Sequence, residues 1–177
     1  MQKRTFIPQD NHLAAQVKLS HIPQNNSETF ELDQENCEWL KELLVELNER
    51  VSDKSEEEKL KETNLFAKLS IEKKYKQQYG EYVLTKCEIN GQFVTECVKT
   101  LKPLSEFVNL RFQAGFVDQS LENSDEFAEL TEFFVDNEIY ELYFYEKGQV
   151  DLKETIHEQL YLNIDPYPKI ETEGVPQ

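Results

Sequence analysis

Several protein classes are excluded by what this chain of 177 residues lacks. Its longest apolar run is Leu142-Tyr143-Phe144-Tyr145, far short of the roughly 20 residues a membrane-crossing helix needs, so no membrane span is expected. The basic start, Met1 to Thr5, leads into Ile7-Pro8-Gln9-Asp10-Asn11 instead of an apolar stretch; a secretory signal is therefore not expected either, and the reading is cytoplasmic. Glycine is scarce and isolated, at 80, 91, 115, 148 and 174, which leaves no Walker-type or dinucleotide-binding loop. Three cysteines, Cys37, Cys87 and Cys97, form no framework spacing, as expected where thiols stay reduced, so no disulfide is assigned. His12, His21 and His157 lie far apart with no metal-ligand spacing, so no metal and no cofactor are assigned.

Charge of one sign is also scarce. Nineteen Lys and Arg face 35 Asp and Glu, a formal net charge of -16, the wrong sign for unaided attraction to phosphate. The distribution is uneven: residues 1–67 carry net -6, residues 68–111 net +3, and residues 112–177 net -13. A basic centre with acidic flanks predicts either two kinds of binding surface or two solvated faces.

The periodicity places the elements. Val17 and Leu19 alternate in a strand around Gln16–His21, broken by Pro23. Leu40, Leu43, Leu44, Leu47 and Val51 share one helical face over about 35–51, with Asp33 as cap and Glu46 paired to Arg50. Residues 53–64 have Leu60 as their single apolar anchor and read as a charged surface excursion. Leu69, Ile71 and Tyr75 read as a strand. Asn90-Gly91 is the dipeptide of a type I′ turn, which predicts a hairpin pairing Ile89 with Gln92, Cys87 with Val94, Leu84 with Cys97 and Val83 with Val98. That register sends Cys87 and Cys97 to opposite sheet faces. Beyond Pro103, Val108 to Phe116 alternate as a further strand, as do Tyr140, Leu142 and Phe144. Phe127, Leu130 and Phe134 predict a helix over 124–135, and Asp151 with Glu154 has capping-box spacing ahead of a helix that starts at Leu152 and is stopped by Pro166 and Pro168. The expected fold class is α+β: an antiparallel, curved sheet of hairpin and meander connections with helices packed on it, in a single domain.

No catalytic residue is assigned. Carboxylate pairs such as Glu154 and Glu158 are common by chance among so many acids, and Cys97, beside Leu84 on an apolar face in this register, reads as a small buried hydrophobe despite nearby Lys99.

Two segments resemble the YceD family of large ribosomal RNA subunit accumulation proteins. The first runs from Gly91 through Cys97, Lys99, Thr100 and Leu101 to Pro103. The second runs from Asp151-Leu152 through Glu158 and Leu160-Tyr161-Leu162 to Pro166 and Pro168. In that family a strand runs into Cys-x-Arg-Cys-Leu, and a later Asp-Leu opens an acidic helix that ends in Leu-x-Leu-Pro-x-x-Pro. Cys97, Leu101, Asp151, Leu152, Glu158, Pro166 and Pro168 occupy family positions; Lys99 replaces the arginine, Thr100 the second cysteine and Asp165 the first proline.

The resemblance covers residues 66–170, leaving 1–65 as a divergent strand and helix part and 171–177 as a flexible tail. It implies a ribosome biogenesis factor without enzymatic activity, supporting large-subunit (23S) ribosomal RNA accumulation or processing. Lys86, Lys99 and Lys102 would then contact pre-ribosomal RNA or a precursor particle. Alternatively, the acidic flanks hold a basic ribosomal protein or rRNA maturation factor, which the charge balance favours. From other classes, the competing readings are a small acidic enzyme with a carboxylate site in a sheet groove and a non-ribosomal adaptor.

Overall fold

The structure, a computed structural model, describes residues 4–5, 13–49 and 63–165. Residues 50–62, Pro166, Pro168 and the tail 171–177 lie outside the described residues, and with them the body of the charged excursion and the partner proposed for Glu46 in Arg50.

Nine strands and two α-helices are described: β1 (Arg4–Thr5), β2 (Gln16–Lys18), β3 (Glu28–Asp33), α1 (Glu38–Asn48), β4 (Asn64–Lys76), β5 (Gly80–Glu96), β6 (Pro103–Asp118), β7 (Glu132–Val135), β8 (Glu138–Tyr145), β9 (Gln149–Asp151) and α2 (Leu152–Asn163). Seven of the strands form one sheet in the order β1-β3-β4-β5-β6-β8-β7, and β2 pairs with β9 in a small second one. The class is α+β. The sheet is mixed, because β1 lies parallel to β3, and β8 parallel to β6; the remaining pairs are antiparallel.

The hairpin at Asn90-Gly91 does not form. β5 runs straight through it, with Gly91 opposite Leu65 on one side and Val108 on the other. The register inferred from that turn falls too: Cys87 faces Leu69 and Phe112, while Val94 faces Ser105. A type I′ turn satisfies a few backbone groups locally, whereas continuing the strand satisfies them on both sides and keeps Val83, Cys87, Ile89 and Phe93 in the core. Gly91 is needed here for space. A Cβ would lie 2.6 Å from the Asn64 carbonyl oxygen and 2.9 Å from a Leu65 methyl.

The two-residue turns fall elsewhere. Asp136 and Asn137 have φ of 52° and 65° between β7 and β8, and Lys147 and Gly148 have 53° and 67° between β8 and β9. Positive φ at both central residues matches the right-handed twist of the flanking strands. The helix expected over 124–135 is replaced by turns and then by β7, in which Phe133 and Val135 are buried and Phe134 is exposed. Phe133 fills the space that Gly115 leaves open, since a Cβ there would meet its ring at 2.1 Å.

The other elements follow the sequence pattern more closely. α1 buries Leu40, Leu43, Leu44 and Leu47 against the sheet, each worth about 1.5–3 kcal/mol. Its N-cap is Cys37, without a side-chain hydrogen bond. Asp33 instead accepts from the Glu35 and Asn36 amides, at 2.8 and 2.9 Å, in the turn that leads in. The strand expected over 16–21 ends at Lys18 and continues as a 3-10 turn. In β4 the alternation buries Leu65, Ala67, Leu69 and Ile71, but Tyr75 at its end is exposed. Asp151 caps α2 by accepting from the Glu154 amide at 2.9 Å, and Leu152, Ile156 and Leu160 enter the core.

Both helices pack into one large core that draws residues from Leu13 to Leu160. On the opposite sheet face a smaller cluster gathers Tyr82, Leu84, Val117, Phe127, Phe133, Val135 and Tyr140. The Asn48 side chain closes the end of α1. Its amide donates to Thr63 Oγ1 and its carbonyl accepts from the Val94 amide, both at 3.0 Å. Val94 lies beyond the last β4 partner of β5, so the side chain stands in for the missing strand.

The turn from β5 to β6 is closed by the Leu101 amide on the Cys97 carbonyl at 2.8 Å and the Cys97 amide on the Lys102 carbonyl at 3.0 Å. Leu101 adopts φ of 60° there and is 69% exposed.

Two substitutions test this account. Gly91→Val should destabilise the fold by about 1–3 kcal/mol in urea titration through overpacking against β4; an unchanged midpoint would contradict the continuous strand. Leu101→Gly should raise stability by a few tenths to about 1 kcal/mol, because glycine removes the left-handed strain while adding some unfolded-state entropy. A fall in melting temperature would show that Leu101 carries packing that outweighs the strain.

Candidate functional site

The basic centre seen in the sequence folds into β4, β5, β6 and the β5–β6 turn, and four of its eight cations, Lys73, Lys74, Lys86 and Arg111, are held in ion pairs. On the sheet face away from the helices, Glu31, Lys68, Glu88 and Arg111 lie in one row across β3, β4, β5 and β6. Arg111 pairs with Glu88 at 3.2 Å and Lys86 with Glu138 at 2.9 Å. Lys74 bonds Asp136, and Lys73 sits 3.2 Å from Glu81. The Lys86 ammonium, followed by the Tyr140 hydroxyl, holds the Glu138 carboxyl below its ordinary range. An open groove of about 760 Å³ runs along this face, with Lys68, Lys86, Glu88 and Arg111 in its wall, and reaches Glu132, Glu141 and Gln159 beside α2.

The structure does not bring the three sequence-predicted lysines together. Lys99 and Lys102 share the exposed β5–β6 turn, while Lys86 lies in the body of β5. Ten strand residues separate Lys86 from the end of β5 at Glu96, roughly 30 Å of extended chain.

The family-motif positions divide into structural and exposed ones. Cys97 is buried at the start of the turn, and Cys37 and Cys87 are buried elsewhere; no disulfide joins them. Burial pushes the Cys37 thiol up to about 11 and the Cys87 thiol higher still, so neither is an activated nucleophile. Asp151 and Leu152 serve the cap and the core. Glu158 is exposed on α2, and Pro166 and Pro168 lie outside the described residues. Among the described residues no group of three His, Cys, Asp or Glu is arranged to hold a metal, and no helix is long and apolar enough to cross a membrane.

A second groove, of about 440 Å³, opens where α2 meets β8 and the segment before β7. Glu132, Glu141 and Glu158 converge on it, together with Leu130, Leu142 and Leu162. Gln159, almost fully buried, bonds Glu141 through its amide and donates to the Tyr143 hydroxyl at 2.9 Å. Burial first, and then the neighbouring Glu158 and Glu141 carboxylates, raise the Tyr143 hydroxyl well above its usual range, against the Gln159 hydrogen bond. Of these residues, sequence reasoning reached Glu158 and Leu162 and missed Glu132, Glu141 and Gln159. One linear signal was available: no Lys or Arg occurs between Arg111 and Lys147.

Comparison with known proteins bears on the same half of the molecule. No curated protein and no solved structure matches the chain. A family model described as "Large ribosomal RNA subunit accumulation protein YceD" matches residues 85–177, from about a third of the way along β5 through the second groove to the last residue. The match covers more than half of the chain and includes the Cys97–Leu101 turn and the Asp151–Leu152 cap, so the chain belongs to the YceD family of large ribosomal RNA subunit accumulation proteins.

Proposed function

We propose that this protein supports large-subunit ribosomal RNA accumulation in the cytoplasm as a non-catalytic factor that binds a basic protein, a ribosomal protein or rRNA maturation factor, on the precursor particle. The observation that carries this reading is the contrast between its two charged regions. Lys73, Lys74, Lys86 and Arg111 of the basic centre are engaged in ion pairs within the protein. The segment 112–146 contains no Lys or Arg at all, so its carboxylates have fewer cations to meet. An acidic surface of this kind speeds and orients association with a basic protein and repels phosphate.

RNA contact through Lys99 and Lys102 is the weaker reading. These two charges share one turn without Lys86 and work against the net charge of -16. The carboxylate-enzyme reading asks for a carboxyl group with a raised pKa; among the described residues the displaced carboxyl is Glu138, and it is shifted the other way. The non-ribosomal adaptor gains nothing from the family membership.

Sedimentation of a cell lysate tests the proposal. The chain should travel with precursor large-subunit fractions, and Lys86→Ala, Lys99→Ala and Lys102→Ala combined should leave it there. Attachment should weaken as salt rises, because exposed charges are screened within about 8–10 Å at physiological ionic strength. Loss of the triple variant from those fractions, or tight binding of the unmodified chain to protein-free ribosomal RNA at physiological salt, would overturn the protein-partner reading.

A further inference from the structure

We infer that the groove between α2 and β8 is the seat of the basic partner, and that it takes a segment presenting an arginine or lysine beside an apolar side chain. The inference rests on the proposed partner reading and deepens it by naming the surface.

The first observation is a register that the fold alone does not favour. Glu132 on β7 stands directly opposite Glu141 on β8, and like charges facing each other across an antiparallel pair are destabilising. Glu158 adds a third carboxylate from α2. Some exposed acids elsewhere do sit against cations, Glu88 against Arg111, Glu138 against Lys86 and Glu42 against Lys153. Among the described residues, none of the three groove carboxylates has such an ion pair.

The second observation is apolar and independent of charge. Within the family segment Leu160-Tyr161-Leu162, Leu160 is fully buried, as a core residue should be, yet Leu162 is 70% exposed. Leu130, also in the groove wall, is 48% exposed. Packing accounts for Leu160, while Leu162 and Leu130 are left largely uncovered by the described residues.

Together these walls specify the occupant. Three carboxylates call for a cation and repel both phosphate and a second copy of a chain with net charge -16. The leucines call for an apolar neighbour to that cation. Gln159, bonded to both Glu141 and Tyr143, fixes the groove floor before anything arrives, which lowers the ordering cost of binding.

The test uses the full chain and a short fluorescent peptide alternating arginine and leucine, followed by anisotropy, with a control in which citrulline replaces arginine. The arginine peptide should bind and the citrulline peptide should not. Glu141→Gln and Glu158→Gln should each weaken binding by about tenfold, from the strength of a charge-assisted hydrogen bond, and Leu162→Ser should weaken it too.

Glu132→Gln supplies the readout that a merely structural role would not give: it should raise the melting temperature of the free protein while weakening the peptide. Equal binding of the two peptides would overturn the inference, as would variants that bind like the unmodified chain or self-association through this face. Sedimentation of the combined Glu141→Gln, Glu158→Gln and Leu162→Ser variant separates the groove from the partner. Retention in precursor fractions would remove the groove as the seat and leave the partner reading standing. Absence of the unmodified chain from those fractions would remove both.

Discussion

The two-sided pairing of β5 is the constraint on which the molecule depends. This seventeen-residue strand is bonded to β4 on one side and β6 on the other. Its alternation therefore decides which side chains meet the helices and which meet the open face. Gly91 lets β4 come close at mid-strand, and Asn48 takes over the Val94 amide where β4 ends. Because β6 pairs with β8 only from Ala114 to Asp118, the later strands gather at one end of the sheet. There β7, β8 and α2 bring Glu132, Glu141 and Glu158 to a single groove.

That arrangement gives a physical meaning to the uneven charge. In the middle of the sheet, rows of alternating sign such as Glu31, Lys68, Glu88 and Arg111 hold cations and anions near each other across strands. Exposed pairs of this kind contribute little to stability, but they lower the field that the basic centre projects. At the α2 and β8 groove Glu132, Glu141 and Glu158 have no ion pair among the described residues and keep more of their field. A factor in large-subunit RNA accumulation can thus be strongly acidic and still bind a particle, if the surface it engages is protein.

Legibility in the sequence followed the range of the interactions. α1, β4, β6 and the α2 cap were readable because each rests on spacing within one element: leucines on one helical face, alternation from Val108 to Phe116, Asp151 three residues before Glu154. Asn90-Gly91 misled because its turn propensity is local, while the pairing that overrides it comes from Leu65 and Val108, distant in the chain. Over 124–135, the helical spacing selected Phe134, whereas Phe133 is the buried residue, a choice that depends on the gap above Gly115. The site divided in the same way. Glu158 was reached through the family resemblance, but the opposition of Glu132 and Glu141 exists only across a strand pair. Lys86 lies far from Lys99 and Lys102 because β5 runs on where a turn at Asn90-Gly91 would have folded the chain back.

The most direct measurement places a photo-crosslinking amino acid at position 162 of the full chain in growing cells and identifies what is captured in precursor large-subunit fractions. The account predicts crosslinks to a basic protein, attached within a segment that carries arginine or lysine beside apolar residues. Crosslinks confined to ribosomal RNA, or a position 162 that captures nothing while the chain remains bound to the particle, would contradict it.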